Sequence, residues 1–346
     1  MKALVLEKNA VLRYTDVQMP KKIGKRSYLI RIAACGICGS DIHRGFENGA
    51  YHYPLIMGHE FSGIVEQTPS SESSFKKGQK VTAFPLLPCK KCTACSTGNF
   101  AQCSNYDYFG SRRDGAFAEY LYIPEENLFP VPDHVDIMHA AMTEPCAVAL
   151  HGVRKLTFSA GDTVVVFGGG PIGIMAAQWS RIRGGSTIAV VDIESRKLKI
   201  ARNMGFIAID ASKNDAVERI YTLTKGEGAQ KVIEACGLPL TYRQAVLSAG
   251  PFAELLFLGI PSRDLSIPPS EASDLLRKEL KLYGAWNSKI TPSGRDDWTT
   301  VLKYMDREMN VAPLISHTPP LSEGADMFKK IVNRTEYINK VIFTLL

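Results

Sequence analysis

The stretch Thr163-Val-Val-Val-Phe-Gly168-Gly169-Gly170-Pro171-Ile172-Gly173 reads as a buried strand running into G-x-G-x-x-G and then a helix. An unbroken apolar run after Thr163 suits a strand covered on both faces. Gly168 makes the tight turn, Gly170 lets the backbone approach a pyrophosphate, and Gly173 lets helix and strand pack closely. Ile172 sits in the same turn, where the free N–H groups and partial positive charge of the helix start favour phosphate. Other α/β proteins also carry glycine-rich turns, so the surroundings decide. Asp192 ends the next apolar strand. A carboxylate there accepts the ribose hydroxyls of NAD and repels the 2′-phosphate of NADP. A solvated strand-end acid is the plainer reading of the same residue. Arg196 and Lys197 follow closely enough to soften the preference for NAD, and Lys197 is counted with the cofactor residues.

Outward from this loop, apolar runs alternate with helical patterns from about residue 150. Strands are expected at Thr163–Phe167, Thr187–Val191, Phe206–Ile209, Lys231–Ala235, Glu254–Leu258 and Leu280–Ala285. Helices are expected at Ile172–Arg183 and Ser195–Met204, the second closed by Gly205. Strands with helical crossovers imply a parallel, doubly wound sheet over 151–287. The first 150 residues differ in texture. Short β-like runs (Leu29–Ala34, Phe61–Glu66, Ala118–Ile123) are separated by loops holding most of the Cys and His. The tail 288–346 ends in the strand-like Lys340–Leu345 and is expected to return to this first domain.

The chain has 346 residues, enough for two domains with separate cores. Hydrophobic residues make up 45% and charged residues 22%, as in soluble globular proteins. The formal net charge of +6 is spread too thinly to argue for nucleic acid. No apolar run is long enough for a signal peptide or a membrane span, so a cytoplasmic location is expected. In that reducing setting, clustered cysteines favour metal over disulfides.

Cys89-Lys-Lys-Cys92-Thr-Ala-Cys95, followed by Cys103, is such a cluster. Four thiolates this close can wrap one zinc ion tetrahedrally and leave no open position, so the site reads as structural. Spacing alone leaves an iron–sulfur cluster as an alternative. Two further segments carry scattered donors: Cys35-Gly-Ile-Cys38-Gly-Ser40-Asp41-Ile-His43 and Gly58-His59-Glu60-Phe61-Ser62-Gly63. Thr143-Glu144-Pro145 adds a third. Taken singly, each of these residues also fits an ordinary packing or helix-start role.

Taken together and in this order, G-I-C-G-S-D-x-H, G-H-E-F-S-G, the four-cysteine lobe, T-E-P and G-G-G-P-I-G resemble the zinc-dependent medium-chain alcohol dehydrogenases over essentially the whole chain. The resemblance implies an α/β protein: a GroES-like, β-rich catalytic domain completed by the C-terminal tail, plus a Rossmann doubly wound parallel sheet. It places the active site in the cleft between them. It implies two zinc ions, one structural and one catalytic, with NAD as cofactor. Cys38 and His59 would bind the catalytic zinc. In the sorbitol-dehydrogenase-like branch the third protein ligand is an acid, for which Glu144 and Glu60 are the candidates, directly or through water. Cys146 is then not a ligand, Cys35 is packing, and Cys236 is assigned no chemistry. The implied reaction oxidises a secondary alcohol, with Ser40 taking the hydroxyl proton and passing it by way of the cofactor ribose to His43. Ser40 also fits a turn, and His43 an exposed surface position.

The substrate signal is carried by N-G-A-Y-H-Y-P (48–54), P-L-L-P-C (85–89), G-S-R-R-D-G (110–115) and R-K-E-L (277–280), a pattern most similar to the galactitol-1-phosphate 5-dehydrogenases. This implies a polyol phosphate oxidised to a ketose phosphate. Arg112 and Arg113 would bind the phosphate, with His52 in the same pocket; a solvated basic turn is the competing reading. Arg277 and Lys278 would reach cofactor or substrate, or form a salt-bridged helix end. An unphosphorylated polyol such as sorbitol or xylitol, and L-threonine, are the other substrates this branch suggests. A catalytically inactive zinc- or NAD(H)-binding protein on the same fold is the non-enzymatic alternative. The resemblance also implies a homodimer or homotetramer joined at the Rossmann sheet edge, with small molecules as the only other partners: no nucleic acid and no membrane.

Overall fold

Six parallel strands form one sheet in the order Ile207–Asp210, Thr187–Asp192, Thr163–Phe167, Ala229–Glu234, Ala249–Phe257, Lys281–Gly284. The strand with the unbroken apolar run starts in the middle, and the winding reverses between it and Ala229–Glu234. Such a switch point leaves a crevice at the strands' carboxyl ends. The glycine loop emerges there and leads into helix Pro171–Ile182. Val165, Phe167, Val191, Val232 and Leu255 fill the core beside this sheet. The outermost strand, Lys281–Gly284, is mostly exposed.

The computed structural model describes residues 1–70, 72–291 and 296–345. The chain divides into two compact units, Met1–Glu144 with Lys289–Leu346, and Pro145–Ser288. The first unit ends at Glu144, inside helix Thr143–Val153, a few residues before the boundary expected at 150. Expected strands are present with shifted ends. Phe206–Ile209 is observed as Ile207–Asp210, and Glu254–Leu258 extends back to Ala249.

The other unit is built on β-sheets. Its largest sheet runs Leu128–Pro130, Lys80–Ala83, Glu60–Gln67, Ser27–Gly36, Lys340–Thr344, Ile315–His317, with Tyr120–Pro124 also paired to Ser27–Gly36. Ser27–Gly36 lies antiparallel between two partners: Gly36 pairs with Glu60 on one side and with Ile342 on the other. Three strand ends therefore meet just before Cys38. A Cβ on Gly36 would stand 2.4 Å from Glu60 Oε2 and 3.2 Å from Lys340 Cε, so a side chain there would push this pair aside. Below the junction, Phe117 meets the rings of Phe328 and Phe343 edge-on, with centroids 6.0 and 5.3 Å away. Among the described residues no helix is long and apolar enough to cross a membrane.

Candidate metal centres and dinucleotide site

Cys38, His59 and Glu60 offer ligand atoms that all lie within 4.8 Å of one another. The junction of three strands produces this grouping, since Cys38 follows one strand and Glu60 opens another. His59 and Glu60 are buried and Cys38 is half-buried. Behind them lies Asp41, which is fully buried. Its carboxylate accepts the Cys38 N–H at 3.0 Å and Arg44 Nη1 at 3.1 Å. His59 Nδ1 stands 3.5 Å from Asp41 Oδ1 and has no hydrogen-bond partner among the described residues.

Burial alone would raise the Asp41 pKa, but His59, Arg44 and the Cys38 N–H bring it below the usual carboxylate value. Burial also opposes charge on His59, yet Asp41 and Cys38 lift its pKa well above the ordinary imidazole range. The pocket therefore stabilises a positive charge. Thiol, imidazole and carboxylate are zinc donors, and three protein ligands with one position left over is the pattern of a catalytic site. Asp41 stands where a carboxylate orients a ligating histidine. On donor chemistry and electrostatics, the residues fit zinc.

Neither acid of the site is without a partner. Glu60 Oε2 meets the ammonium of Lys340, which is buried and also donates to Ile37 O at 2.8 Å. Burial works against charge on Lys340, but Glu60 and Cys38 outweigh it and raise its pKa. Glu144 opens helix Thr143–Val153, is buried, and lies outside the 4.8 Å group. Its Oε1 accepts the hydroxyl of Tyr108 at 3.3 Å. Burial, with Glu60 adding, pushes Glu144 up to about 7. Cys146 is buried with its Sγ 2.9 Å from Met175 Sδ, and Cys35 is fully buried.

Ser40 and His43 stand one turn apart where helix Gly39–Ile42 runs on into His43–Glu47. That spacing puts both on one face. Ser40 is half-buried and His43 is exposed, its Nδ1 2.5 Å from Glu47 Oε2.

The ligand atoms of Cys89, Cys92, Cys95 and Cys103 also lie within 4.8 Å of one another. The Sγ atoms of Cys92 and Cys95 are 3.5 Å apart, and those of Cys89 and Cys95 are 4.0 Å apart. These spacings are far beyond a disulfide bond. Backbone N–H groups of Ser104 and Cys95 bring Cys92 down to about 5, while burial pushes Cys95 up to about 12. A divalent cation lets all four become thiolates together.

The dinucleotide loop belongs wholly to the other unit. Gly168 has φ +106, and a Cβ on Gly173 would fall 1.8 Å from Gly168 O. A Cβ on Gly170 would meet nothing within 4 Å, so space lies open in front of the loop. Gly170 caps helix Pro171–Ile182 without a side-chain hydrogen bond, leaving N–H groups for a phosphate. Ile172 is half-buried in the first turn. Asp192 accepts the Gly169 N–H at 2.7 Å and the Glu194 N–H at 2.8 Å, with Lys197 Nζ 3.7 Å away. Arg196 is held by Glu194 in a two-pronged contact at 2.8 and 2.9 Å. The loop fits a dinucleotide.

Residues 24–133 match the alcohol dehydrogenase GroES-like domain family, and residues 171–307 match the zinc-binding dehydrogenase family. The galactitol 1-phosphate 5-dehydrogenase of Escherichia coli K12 is 34% identical over 333 residues, covering 96% of each chain. This chain belongs to the zinc-dependent medium-chain alcohol dehydrogenases. A sorbitol dehydrogenase of Halalkalibacterium halodurans is 31% identical to this dehydrogenase over 93% of its length and 94% of the relative's. A crystal structure of galactitol-1-phosphate dehydrogenase from Escherichia coli superposes with a TM-score of 0.91 at 33% identity, covering 99% of this chain and 100% of the other. A zinc-binding dehydrogenase from Sinorhizobium meliloti 1021, bound to NADP, has a TM-score of 0.89 at 29% identity over 99% and 98% of the two chains. This dehydrogenase is accordingly an oxidoreductase that uses zinc and a nicotinamide dinucleotide.

The substrate residues expected in this dehydrogenase take different partners in the structure. Arg112 places its guanidinium 4.2 Å from the Tyr106 ring centre and 4.9 Å from that of Tyr51, and donates to Tyr106 O at 3.1 Å. No carboxylate pairs with it among the described residues. Arg113 is paired with Asp107 at 3.3 Å. His52 is exposed, with Nδ1 3.0 Å from Pro54 O. Arg277 and Lys278 take the plainer role: Arg277 bonds Ser273 at 3.0 Å, and Lys278 reaches Ala249 O at 2.9 Å and Asp274 at 3.6 Å. Asp41, Tyr108 and Lys340 went unassigned in the sequence. Asp41 is visible only as part of a motif, while Tyr108 and Lys340 carry no local signal.

Proposed function

We propose that this dehydrogenase oxidises the C5 hydroxyl of galactitol 1-phosphate to give tagatose 6-phosphate, with NAD as the oxidant. The observation that carries the phosphate is Arg112. Two tyrosine rings hold its guanidinium in place, and no acid among the described residues neutralises it. A planar, fixed fork of donors suits a phosphate group. Arg113 already has Asp107, and His52, exposed and next in sequence to Tyr51, makes the weaker contribution.

Cys38, His59 and Glu60 would hold the catalytic zinc, which supplies a Lewis acid that lowers the pKa of an adjacent hydroxyl. Cys89, Cys92, Cys95 and Cys103 would hold the structural ion. Glu144 is a reserve acid beside the first group. Ser40 Oγ takes the substrate proton, and His43, exposed one turn on, returns it to solvent, its Nδ1 held by Glu47. Lys340 holds Glu60 in a buried ion pair. Gly168, Gly170, Ile172 and Gly173 shape the pyrophosphate seat. Asp192, supported by Lys197, accepts the ribose hydroxyls and favours NAD over NADP.

The test is catalytic efficiency, kcat/KM, on galactitol 1-phosphate against galactitol. A site with a guanidinium waiting for phosphate should favour the ester by roughly 10⁴-fold. Arg112→Ala should remove most of that ratio while sparing the unphosphorylated polyol. Equal efficiencies on the two polyols would reject the phosphate and turn attention to sorbitol-type substrates.

A further inference from the structure

Tyr108 donates its hydroxyl to Glu144, and several contacts fix where that hydroxyl points. Its backbone pairs with Leu86, and its carbonyl accepts the N–H groups of Ser111, Arg112 and Arg113 at 3.3, 3.0 and 3.3 Å. Its ring meets His59 at 66° with centroids 5.6 Å apart, and Tyr106 at 74° with centroids 6.2 Å apart. A phenylalanine would pack as well in such a nest. A hydroxyl away from bulk solvent needs a partner, and this one finds Glu144 Oε1 at 3.3 Å. That is long for an O–H···O bond, whose usual distance is about 2.7–2.8 Å.

The two acids of the site are held by different chemistry. Glu60 joins Cys38 and His59 within 4.8 Å and has the buried cation Lys340 against it. Glu144 lies outside that group and, among the described residues, its carboxylate is bonded by a phenol. We infer that Tyr108 is a positioning residue that holds Glu144 off the metal and so keeps a coordination position free for the substrate hydroxyl. Without the phenol, a buried carboxylate beside a divalent cation turns to the cation as its next best partner.

This inference rests on Cys38, His59 and Glu60 binding an ion, so that is measured first. Cys38→Ser should lose one of two zinc ions, and retention of both would reject the metal reading itself. The inference is then tested with cobalt(II) in place of zinc, since added ligands weaken the visible d–d absorption. Tyr108→Phe should weaken that absorption, slow removal of the ion by a chelator, and lower kcat about tenfold, the lower end for changes behind metal ligands, with KM nearly unchanged. Glu144→Gln with Tyr108 intact should leave the absorption as in the wild type, because Glu144 is not a resting ligand. In the Glu144→Gln background, Tyr108→Phe should have no further spectral effect. An unchanged spectrum in Tyr108→Phe, an altered one in Glu144→Gln alone, or a Tyr108 effect that persists without Glu144 would each overturn the inference. If Tyr108→Phe proves too unstable to load, the Glu144→Gln spectrum decides.

Discussion

The ammonium of Lys340 lies against Glu60 Oε2, although 280 positions separate the two residues in the chain. The pairing of Ser27–Gly36 with both neighbouring strands makes the meeting possible. Both partners are buried, so removing one leaves a charge uncompensated. Lys340→Met should cost about 3–5 kcal/mol of stability, the usual range for breaking a buried pair, read from the shift in a denaturant midpoint. Lys340→Arg keeps the charge and should lose less. A methionine variant as stable as the wild type would show that Glu60 does not depend on this cation.

Stability should also depend on the cysteine lobe. Cys95 is buried among the other three thiols. Cys95→Ser should release one zinc per chain and lower the melting temperature, because a loop without its own core depends on its ion. Metal analysis and calorimetry check this together. Unchanged zinc content and melting point would remove the structural role.

Cofactor choice should depend on Asp192. Its carboxylate binds Gly169 N–H and so sits at the glycine loop itself. Asp192→Ala should lower the NAD-to-NADP ratio of kcat/KM by about 10-fold or more, an energy of about 1.4 kcal/mol per factor of ten. An unchanged ratio would place the discrimination elsewhere.

Glu144 gives a pH dependence with a definite sign. Burial raises its pKa from 4.5 to about 7 in the folded chain. Between those values the folded chain binds more protons than the unfolded one, so stability falls as pH rises. In protein stripped of metal, the denaturant midpoint should decline from about pH 5 to about pH 8 more steeply in the wild type than in Glu144→Gln. Parallel declines would mean that Glu144 does not carry the effect.

What the sequence discloses here follows from distance along the chain. The glycine loop, its strand and its helix are local, and the expected Thr163–Phe167 matches the observed strand residue for residue. The four-cysteine lobe is equally local. Cys38, His59 and Glu60 were legible through their motifs. Which of Glu60 and Glu144 lies within reach of Cys38 and His59 was not, because it depends on strand register and on partners far away. Tyr108 reads as one aromatic among several, and nothing near Lys340 marks it as buried. Two-residue strands such as Leu55–Ile56 and Leu86–Leu87 are too short to leave a pattern, yet the second is the one that seats Tyr108.

The unit that carries the cysteine and histidine donors is split, with Met1–Glu144 completed by Lys289–Leu346, while Pro145–Ser288 is continuous. During synthesis the continuous stretch leaves the ribosome whole and can close on its own. The earlier stretch must wait for strand Lys340–Thr344 before Glu60 gains its cation. A nascent chain can therefore close its nucleotide fold before the sheet that carries Glu60 receives strand Lys340–Thr344, so truncation before Lys340 should unbalance a carboxylate encoded near the start.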